Sequence, residues 1–142
     1  MISGIGVDII ENNRFRKWGK YSPKVFYKVF TKQEYINGTK NGFSLQFFAS
    51  RFAAKEAFYK ALSQALFQSK KMDKKFSFLS IANKIEIIKN EWNIPELKID
   101  FNTFSEISKI KLPEFSTQLS ISHESKVSIA FVVITLAKTA IF

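Results

Sequence analysis

The stretch RFAAKEAFYKAL, residues 51–62, most constrains what this chain can fold into. Its spacing is typical of a helix, at about 100° of rotation per residue. The apolar positions then cover more than half of the circumference: Phe47, Phe48, Phe52, Ala54, Phe58, Ala61, Leu62, Ala65 and Leu66. Ser44 is a suitable N-cap, so the pattern predicts a mostly buried helix from there to about Phe67.

Four charged residues interrupt this burial pattern: Arg51, Lys55, Glu56 and Lys60. Glu56 and Lys60 fall within about 40° of each other on the helix. Small residues fill the rest of their sector: Ala49, Ala53 and Ser63. One interpretation is a surface ion pair, with Arg51 and Lys55 laying their stems on aromatic rings and their charged ends in water. The alternative is a functional site, because small side chains let a ligand approach closely.

The acidic residues and the single histidine limit the chemistry of such a site. The chain has no cysteine, which excludes disulfides and thiolate sites. Asp8 lies near the expected end of a β-branched segment, and His123 lies on an alternating one. Two carboxylates suit Mg²⁺, which completes its coordination with water and phosphate oxygens. Asp8 and Glu56, with Lys and Arg on the same helix, therefore indicate a phosphate-containing substrate.

Short apolar segments on either side of the helix predict strands: SGIGVDII, residues 85–88, residues 97–101, QLSISHES and KVSIAFVVITL. The last two follow each other at hairpin distance and should be antiparallel neighbours. Pro23 is expected to restart a helix in the basic region, and NGTKNG, residues 37–42, is expected to be a loop. The order of one strand, a helical region, a long helix and then mostly strands predicts an α+β fold, in one domain spanning residues 1–142.

The net charge of +10 favours an anionic partner. Basic residues between Arg14 and Lys32 alternate with aromatic ones, as in a nucleic-acid-binding module. That alternative gives no reason for Asp8 and Glu56, whose charges would repel a nucleic-acid backbone. The longest apolar run, residues 127–137, is too short to span a bilayer. The N-terminus lacks the features of a signal peptide, so we expect a cytoplasmic protein that does not bind a membrane.

Three blocks of the sequence, in order, resemble the holo-[acyl-carrier-protein] synthases, the small 4′-phosphopantetheinyl transferases: GIGVDIIENNRF, FASRFAAKEAFYKAL and LSISHESKVSIAFVVI. The resemblance implies an antiparallel sheet packed against a long buried helix. It also implies a Mg²⁺-dependent reaction for fatty acid biosynthesis. In that reaction the phosphopantetheine arm of coenzyme A moves to a serine of an acidic apo acyl carrier protein, and adenosine 3′,5′-bisphosphate is released.

Carried onto this sequence, the resemblance makes Asp8 and Glu56 the metal-binding acids. Lys60 matches the lysine that contacts the transferred phosphate of coenzyme A. The three residues form the expected catalytic set, since a metal and a positioned lysine both stabilise developing negative charge. The proton of the serine could pass to a carboxylate or to water on the metal, and the sequence leaves both routes open.

The resemblance assigns further residues to substrate and partner binding. Arg51 and His123 match positions that contact coenzyme A, while the role of Lys55 stays open between a more distant phosphate and a neighbouring subunit. Arg14 lies in the expected carrier-docking helix, and Lys17 extends that surface. The family is homotrimeric, with sites formed between subunits, and we expect the same here.

Two positions depart from the family pattern. No glycine follows Gly42, although the family usually has a glycine-rich turn after the long helix. The family turn Gly-x-Pro reads Asn93-Ile94-Pro95 here. Asparagine partly replaces glycine in such a turn, because it adopts left-handed backbone geometry more readily than most residues.

Overall fold

The structure, a computed structural model, describes residues 1–72, 75–100, 102, 105–106 and 115–137. Its helical elements are a 3₁₀ helix (Asn12–Lys20), α1 (Pro23–Phe26), α2 (Lys32–Thr39), α3 (Leu45–Ser69) and α4 (Phe78–Ala82). The strands are β1 (Gly4–Glu11), β2 (Ile85–Lys89), β3 (Pro95–Ile99), β4 (Phe115–His123) and β5 (Val127–Leu136). In the part of the chain so described, the helices are all too short or too polar to cross a membrane. The α+β prediction is confirmed.

The larger sheet is antiparallel and has the strand order β1-β5-β4. Strands β4 and β5 form the expected hairpin, with Leu119 opposite Val132. Strand β1 pairs with the other edge of β5, and its last pair joins Glu11 to Val127. The prediction that this strand ends near Asp8 is wrong, because the pairing with β5 continues for three more residues.

Helix α3 begins and ends almost where the sequence predicts. The Ser44 hydroxyl accepts a hydrogen bond from the Phe47 amide at 3.1 Å, a cap that contributes about 1 kcal/mol in typical helices. Both α3 and the sheet contribute to the buried core, with Phe58, Leu62 and Ile134 among its fully buried side chains. The helix ends at Lys70, which has a left-handed backbone (φ 56°) at a position that glycine usually occupies.

The loop predicted over residues 37–42 is only partly present. Helix α2 runs through the first Asn-Gly pair to Thr39, and the turn is confined to Gly42, whose φ is +89°. A capping box explains the difference: Thr31 Oγ1 accepts from the Glu34 amide, and Glu34 Oε1 accepts from the Thr31 amide. Such a box stabilises the first turn, and Gly38 then fits closely against Phe48.

The smaller sheet is an antiparallel pair of β2 and β3. The first strand lies where the sequence predicts it. The second, predicted over residues 97–101, begins two residues earlier at Pro95 and ends at Ile99, and the predicted last residue, Phe101, lies outside the described residues. Asn93 has a φ of +63° in the turn between the strands. Asparagine therefore adopts the left-handed conformation for which the family uses glycine.

Candidate functional site

Strand β1 and helix α3 bring Asp8 and Lys60 into contact. The Lys60 ammonium lies 3.1 Å from Asp8 Oδ1 and also donates to the Val7 carbonyl at 3.0 Å. Both side chains remain accessible, with 18% of Asp8 and 49% of Lys60 exposed. The pair therefore lies at a protein surface that a substrate can reach, and not in the core.

Glu56 belongs to the same cluster. Desolvation raises its pKa, the negative charge of Asp8 raises it further, and the positive charges of Lys60 and Arg14 partly offset both effects. Two carboxylates in one partly desolvated place disfavour ionisation of each other. The structure thus brings the three predicted catalytic residues together.

The cluster offers two carboxylates, Asp8 and Glu56. No group of three or more His, Cys, Asp or Glu side chains that could hold a metal ion occurs within residues 1–72, 75–100, 102, 105–106 and 115–137. Two carboxylates are the kind of protein ligand set that Mg²⁺ uses when water and substrate phosphate supply its other ligands. The repulsion that raises the pKa of Glu56 is the repulsion that a bound cation removes.

Arg51 lies elsewhere, in a cavity of about 610 Å³ that α2, α3, β2 and His123 line. Its guanidinium is 3.9 Å from the centre of the Phe47 ring, and Nη1 donates to Ser50 Oγ at 3.0 Å. Arg51 Nε is buried and has no hydrogen-bond partner among the described residues. Desolvation lowers the pKa of Arg51, and the charge of Glu34 partly offsets this. An under-satisfied cation in a cavity favours an anionic ligand.

His123 reaches the same cavity from the end of β4. Its Nδ1 atom contacts the side-chain amide of Gln46, a residue in the first turn of α3. A hydrogen bond to one ring nitrogen fixes the orientation of the imidazole and turns the other nitrogen toward a ligand. The structure therefore unites Arg51 and His123, the two residues expected to contact coenzyme A.

Lys55 is neither solvated nor open to a ligand. It is 0% exposed, and its ammonium lies 2.7 Å from Glu34 Oε1. The expectation that its charged end lies in water, or contacts a more distant phosphate, is wrong: the charge is neutralised inside the protein. Sequence reasoning missed Glu34 as the partner. The signal was the Thr31-x-x-Glu34 capping box, a signature that predicts an ordered acidic side chain at this position.

The expected docking residues, Arg14 and Lys17, are exposed on the 3₁₀ helix, whereas Phe15 between them is 2% exposed. Phe26 and Phe30 are buried in the same way. Aromatic rings in the core cannot stack on bases, which counts against the nucleic-acid-binding alternative. Of the aromatic residues in this region, Tyr21 is exposed at 41%, and the rest of the surface is a basic face whose Arg14 lies close enough to act on the pKa of Glu56.

The predicted site residues thus form two groups within one chain. Arg51 and Lys60 are nine residues apart on α3, which places them on opposite sides of the helix, about 180° apart. The cavity that contains Arg51 and His123 is not lined by Asp8 or Glu56. We call these groups the carboxylate cluster (Asp8, Glu56 and Lys60) and the arginine cavity (Arg51, His123 and the surrounding walls).

Comparison with known proteins assigns this arrangement to a family. Residues 4–131 match the model of the 4′-phosphopantetheinyl transferase superfamily. The chain belongs to this superfamily. It is 38% identical to a holo-[acyl-carrier-protein] synthase of Halothermothrix orenii, over 94% of this chain and 97% of that protein. It is 32% identical to one of Treponema pallidum, over 94% and 96% of the two chains. The resemblance inferred from the three sequence blocks is confirmed.

Solved structures of the superfamily share the fold. One is the holo-(acyl-carrier-protein) synthase of Bacillus anthracis in complex with coenzyme A (3′,5′-ADP), with 34% identity, a TM-score of 0.63, and 94% of this chain and 96% of that chain covered. Another is the synthase of Helicobacter pylori in complex with coenzyme A, with 28% identity, a TM-score of 0.65, and 92% and 99% covered. The transferase fold, with an antiparallel sheet against a long helix, is therefore established for this chain.

Proposed function

We propose that the protein transfers the 4′-phosphopantetheine group of coenzyme A to a serine of apo acyl carrier protein and releases adenosine 3′,5′-bisphosphate. The observation that carries the proposal is the carboxylate cluster, in which Asp8, Glu56 and Lys60 meet at an accessible surface in a member of this superfamily. Relatives over nearly the whole chain are holo-[acyl-carrier-protein] synthases, and this supports the choice of substrate and partner.

Asp8 and Glu56 would hold Mg²⁺ in this reaction. When bound, Mg²⁺ would neutralise the charge that builds up on the phosphate groups as the bond breaks. Lys60, tethered to Asp8 Oδ1 and to the Val7 carbonyl, would direct its ammonium at the same phosphate. The proton of the attacking serine has two routes, to a carboxylate of the cluster or to water.

The arginine cavity would bind a phosphate of coenzyme A other than the one that is transferred. The unpaired Nε of Arg51 and the ring of His123 supply donors to it, and Lys40 and Lys89 add positive charge to its walls. Two carboxylates, Glu34 and Glu86, also line the cavity. Lys55 neutralises Glu34, and Glu86 Oε1 accepts a hydrogen bond from Thr31 Oγ1 at 2.7 Å. The supporting argument is that a buried donor without a partner destabilises the empty protein and is satisfied when an anion binds.

We propose that the protein is a homotrimer whose sites form between subunits. Within one chain, α3 separates Arg51 from Lys60, so one coenzyme A molecule contacts both groups more readily if two chains contribute. The outward face of β1 and β5 supplies apolar surface for such an assembly: Ile5, Val7 and Ile9 are 49%, 49% and 66% exposed, and Phe131 opposite Val7 is 43% exposed. Contiguous exposed apolar patches of this kind typically mark protein–protein contacts.

The basic face that carries Arg14 and Lys17 would dock the acidic carrier protein, because complementary charge steers association and sets orientation. The influence of Arg14 on Glu56 supports this placement, since a carrier docked there would present its serine near the carboxylate cluster. We further propose that the reaction takes place in the cytoplasm and serves fatty acid biosynthesis.

The deciding experiment mixes the protein with coenzyme A, MgCl₂ and an apo acyl carrier protein, and measures the mass of the carrier. A gain of one phosphopantetheine group is expected, with none when the carrier serine is replaced by alanine. Glu56→Gln keeps the shape of the side chain and removes one metal-binding charge, so it should raise the Mg²⁺ requirement strongly. No mass gain on a carrier that another synthase modifies would refute the proposed function.

A further inference from the structure

The ammonium of Lys55 is surrounded by four acceptors from four different parts of the fold. It pairs with Glu34 Oε1 of α2 at 2.7 Å. It also donates to three main-chain carbonyls: Val29 at 2.9 Å, Ala82 at 2.8 Å and Ile85 at 2.6 Å. The carbonyls belong to the segment between α1 and α2, the end of α4 and the start of β2. One fully buried side chain of α3 therefore connects to all of these elements.

Glu34 uses its second oxygen to extend the same network. Glu34 Oε1 contacts Lys55 and accepts from the Thr31 amide at 3.0 Å, while Oε2 accepts from the Ile87 amide at 3.0 Å. The Glu34 carboxylate thus caps the first turn of α2 and also attaches α2 to β2. Strand β2 pairs with β3 and does not belong to the larger sheet. Two polar contacts attach β2 directly to the helices: Lys55 of α3 donates to the Ile85 carbonyl, and Glu34 of α2 accepts from the Ile87 amide.

The attached elements are walls of the arginine cavity. Helix α2 lines it with Gln33, Glu34 and Asn37, and β2 lines it with residues 86–89. Arg51 lies one helical turn before Lys55 on α3, facing those walls. A displacement of β2 by one hydrogen-bond length would therefore change the shape of the cavity around the guanidinium of Arg51.

A buried ion pair is a poor way to gain stability, because desolvating two charges costs about as much as their attraction returns. Such an ion pair does fix the relative positions of the elements that it joins. An ammonium has three N–H groups and here faces four oxygens, so at least one N–H is shared between two acceptors. A slide of any attached element would lengthen one of these charge-assisted contacts. An apolar side chain of similar volume would fill the space and yet tolerate small shifts of β2.

We propose that Lys55 and Glu34 are positioning residues of the coenzyme A site: they hold α2 and β2 where the arginine cavity fits a phosphate-bearing ligand. The inference rests on the proposed function, in which this cavity binds coenzyme A. Neither residue has to touch the ligand. Lys55 stands next to Glu56 in the sequence, yet it lies about 100° from Glu56 and about 140° from Lys60 around the helix, and so faces away from the carboxylate cluster.

The test compares Lys55→Met, Glu34→Gln and the double variant. Lys55→Met leaves the Glu34 carboxylate and three main-chain carbonyls without their donor, and Glu34→Gln leaves the Lys55 ammonium without its counter-charge, so each single change should destabilise the fold strongly. The double variant removes both charges and should recover part of the melting temperature. For the double variant we expect the Kd for coenzyme A and the KM for coenzyme A to rise about tenfold. Its kcat at saturating coenzyme A, and the KM for the carrier, should stay within about twofold of the original values.

Ile134→Val, which alters a fully buried residue of β5 outside the cavity lining, is the matched control for a loss of stability alone. It should lower the melting temperature and leave the Kd for coenzyme A unchanged. A folded double variant that binds coenzyme A as tightly as the original protein would overturn the inference. If the original protein itself does not bind coenzyme A in calorimetry, the proposed function fails instead, and the two failures are thereby distinguished.

A second measurement uses the original protein and covers the case in which the variants do not fold. Hydrogen exchange of the Ile87 amide, which Glu34 Oε2 holds, reports on the attachment of β2. If that attachment shapes the cavity, saturating adenosine 3′,5′-bisphosphate should slow this exchange several-fold, because coupling between a ligand and a conformation is reciprocal. An exchange rate that does not change with the ligand bound would contradict the inference.

Discussion

Gly6 of β1 lies against Ala57 of α3 so closely that an added Cβ atom would be 1.9 Å from the Ala57 carbonyl oxygen. This backbone contact holds Asp8, two residues further along the strand, beside the carboxylate and ammonium of α3. Gly6→Ala must displace β1 from the helix. We expect a lower melting temperature and about a tenfold rise in the Mg²⁺ concentration needed for half-maximal activity, since misplaced ligands weaken metal binding by about that factor.

Gly19→Ala is the control for this prediction, because its Cβ would meet its nearest neighbour, the Phe43 ring, at an ordinary 3.5 Å. It should leave the Mg²⁺ requirement unchanged. An unaltered Mg²⁺ requirement in Gly6→Ala would mean that the close approach of β1 does not determine the geometry of the carboxylate cluster.

The pH dependence of Mg²⁺ binding should follow the ionisation of the Glu56 carboxyl group. Its pKa is raised, so protons compete with Mg²⁺ at a higher pH than they would for an ordinary glutamate. Affinity for Mg²⁺ should therefore be full above the raised pKa and fall as the pH decreases through it. Arg14 lowers this pKa, so Arg14→Gln should move the midpoint to higher pH. Mg²⁺ titrations from about pH 5 to pH 8 test both statements, and a midpoint that does not move in Arg14→Gln would refute the second.

Removing the Glu56 charge should stabilise the metal-free protein. A carboxyl whose pKa is higher in the folded state than in the unfolded state destabilises the fold when it is ionised. That cost is present above the folded-state pKa and disappears below the unfolded value. Glu56→Gln should therefore raise the melting temperature near pH 7.5 in EDTA, and the difference should vanish near pH 4. Added MgCl₂ should stabilise the original protein more than the variant, and equal stabilisation would count against Glu56 as a ligand.

Reversal of the docking charges should impair use of the carrier alone. Arg14→Glu combined with Lys17→Glu should raise the KM for the acidic carrier about tenfold or more at low salt, and less at high salt, because screening weakens exposed charges. Binding of coenzyme A, followed by calorimetry at saturating MgCl₂, should not change. The pair Lys75→Glu and Lys84→Glu makes the same change in net charge at other exposed positions and should leave the KM alone. Equal losses in both double variants would refute a localised docking surface.

Lys70 offers a test of local strain. Its φ of 56° at the end of α3 is a conformation that costs a lysine about 1 kcal/mol and costs glycine little. Lys70→Gly should therefore raise the free energy of unfolding slightly in chemical denaturation. Gln68→Gly, inside the same last turn of the helix, should lower it, because glycine is unfavourable in a helix interior. A destabilised Lys70→Gly would contradict the assigned end of the helix.

The sequence predicted those parts of the fold that depend on local periodicity. The limits of α3, its Ser44 cap and the β4–β5 hairpin follow from spacing and capping chemistry that neighbouring residues determine. The prediction of a loop at Asn37 was wrong because α2, which begins at a capping box six residues earlier, runs past this residue. The predicted end of β1 was wrong because the last residue of this strand depends on how far β5 continues to pair with it. The sequence of β1 alone does not contain that information.

The same distinction applies to the candidate site. Angular position alone assigned Glu56 and Lys60 to one sector of α3 and Arg51 to another, and the structure agrees. Angle could not reveal that Lys55 is fully buried, because its partner Glu34 is 21 residues away and reaches it only through the packing of α2 and β2. Which charged residues touch substrate, and which hold the walls in position, is decided by tertiary contacts.

Helix α3 also fixes the distance between Arg51 and Lys60. Arg51 and Lys60 belong to one uninterrupted helix, so the nine-residue step from one to the other corresponds to about 13.5 Å along its axis. This distance is the same in every copy of the chain, because a helix resists stretching far more than a loop does. Inserting or deleting a single residue between them would rotate one group by about 100° relative to the other. The segment between Arg51 and Lys60 therefore cannot change in length without changing how the two groups face each other.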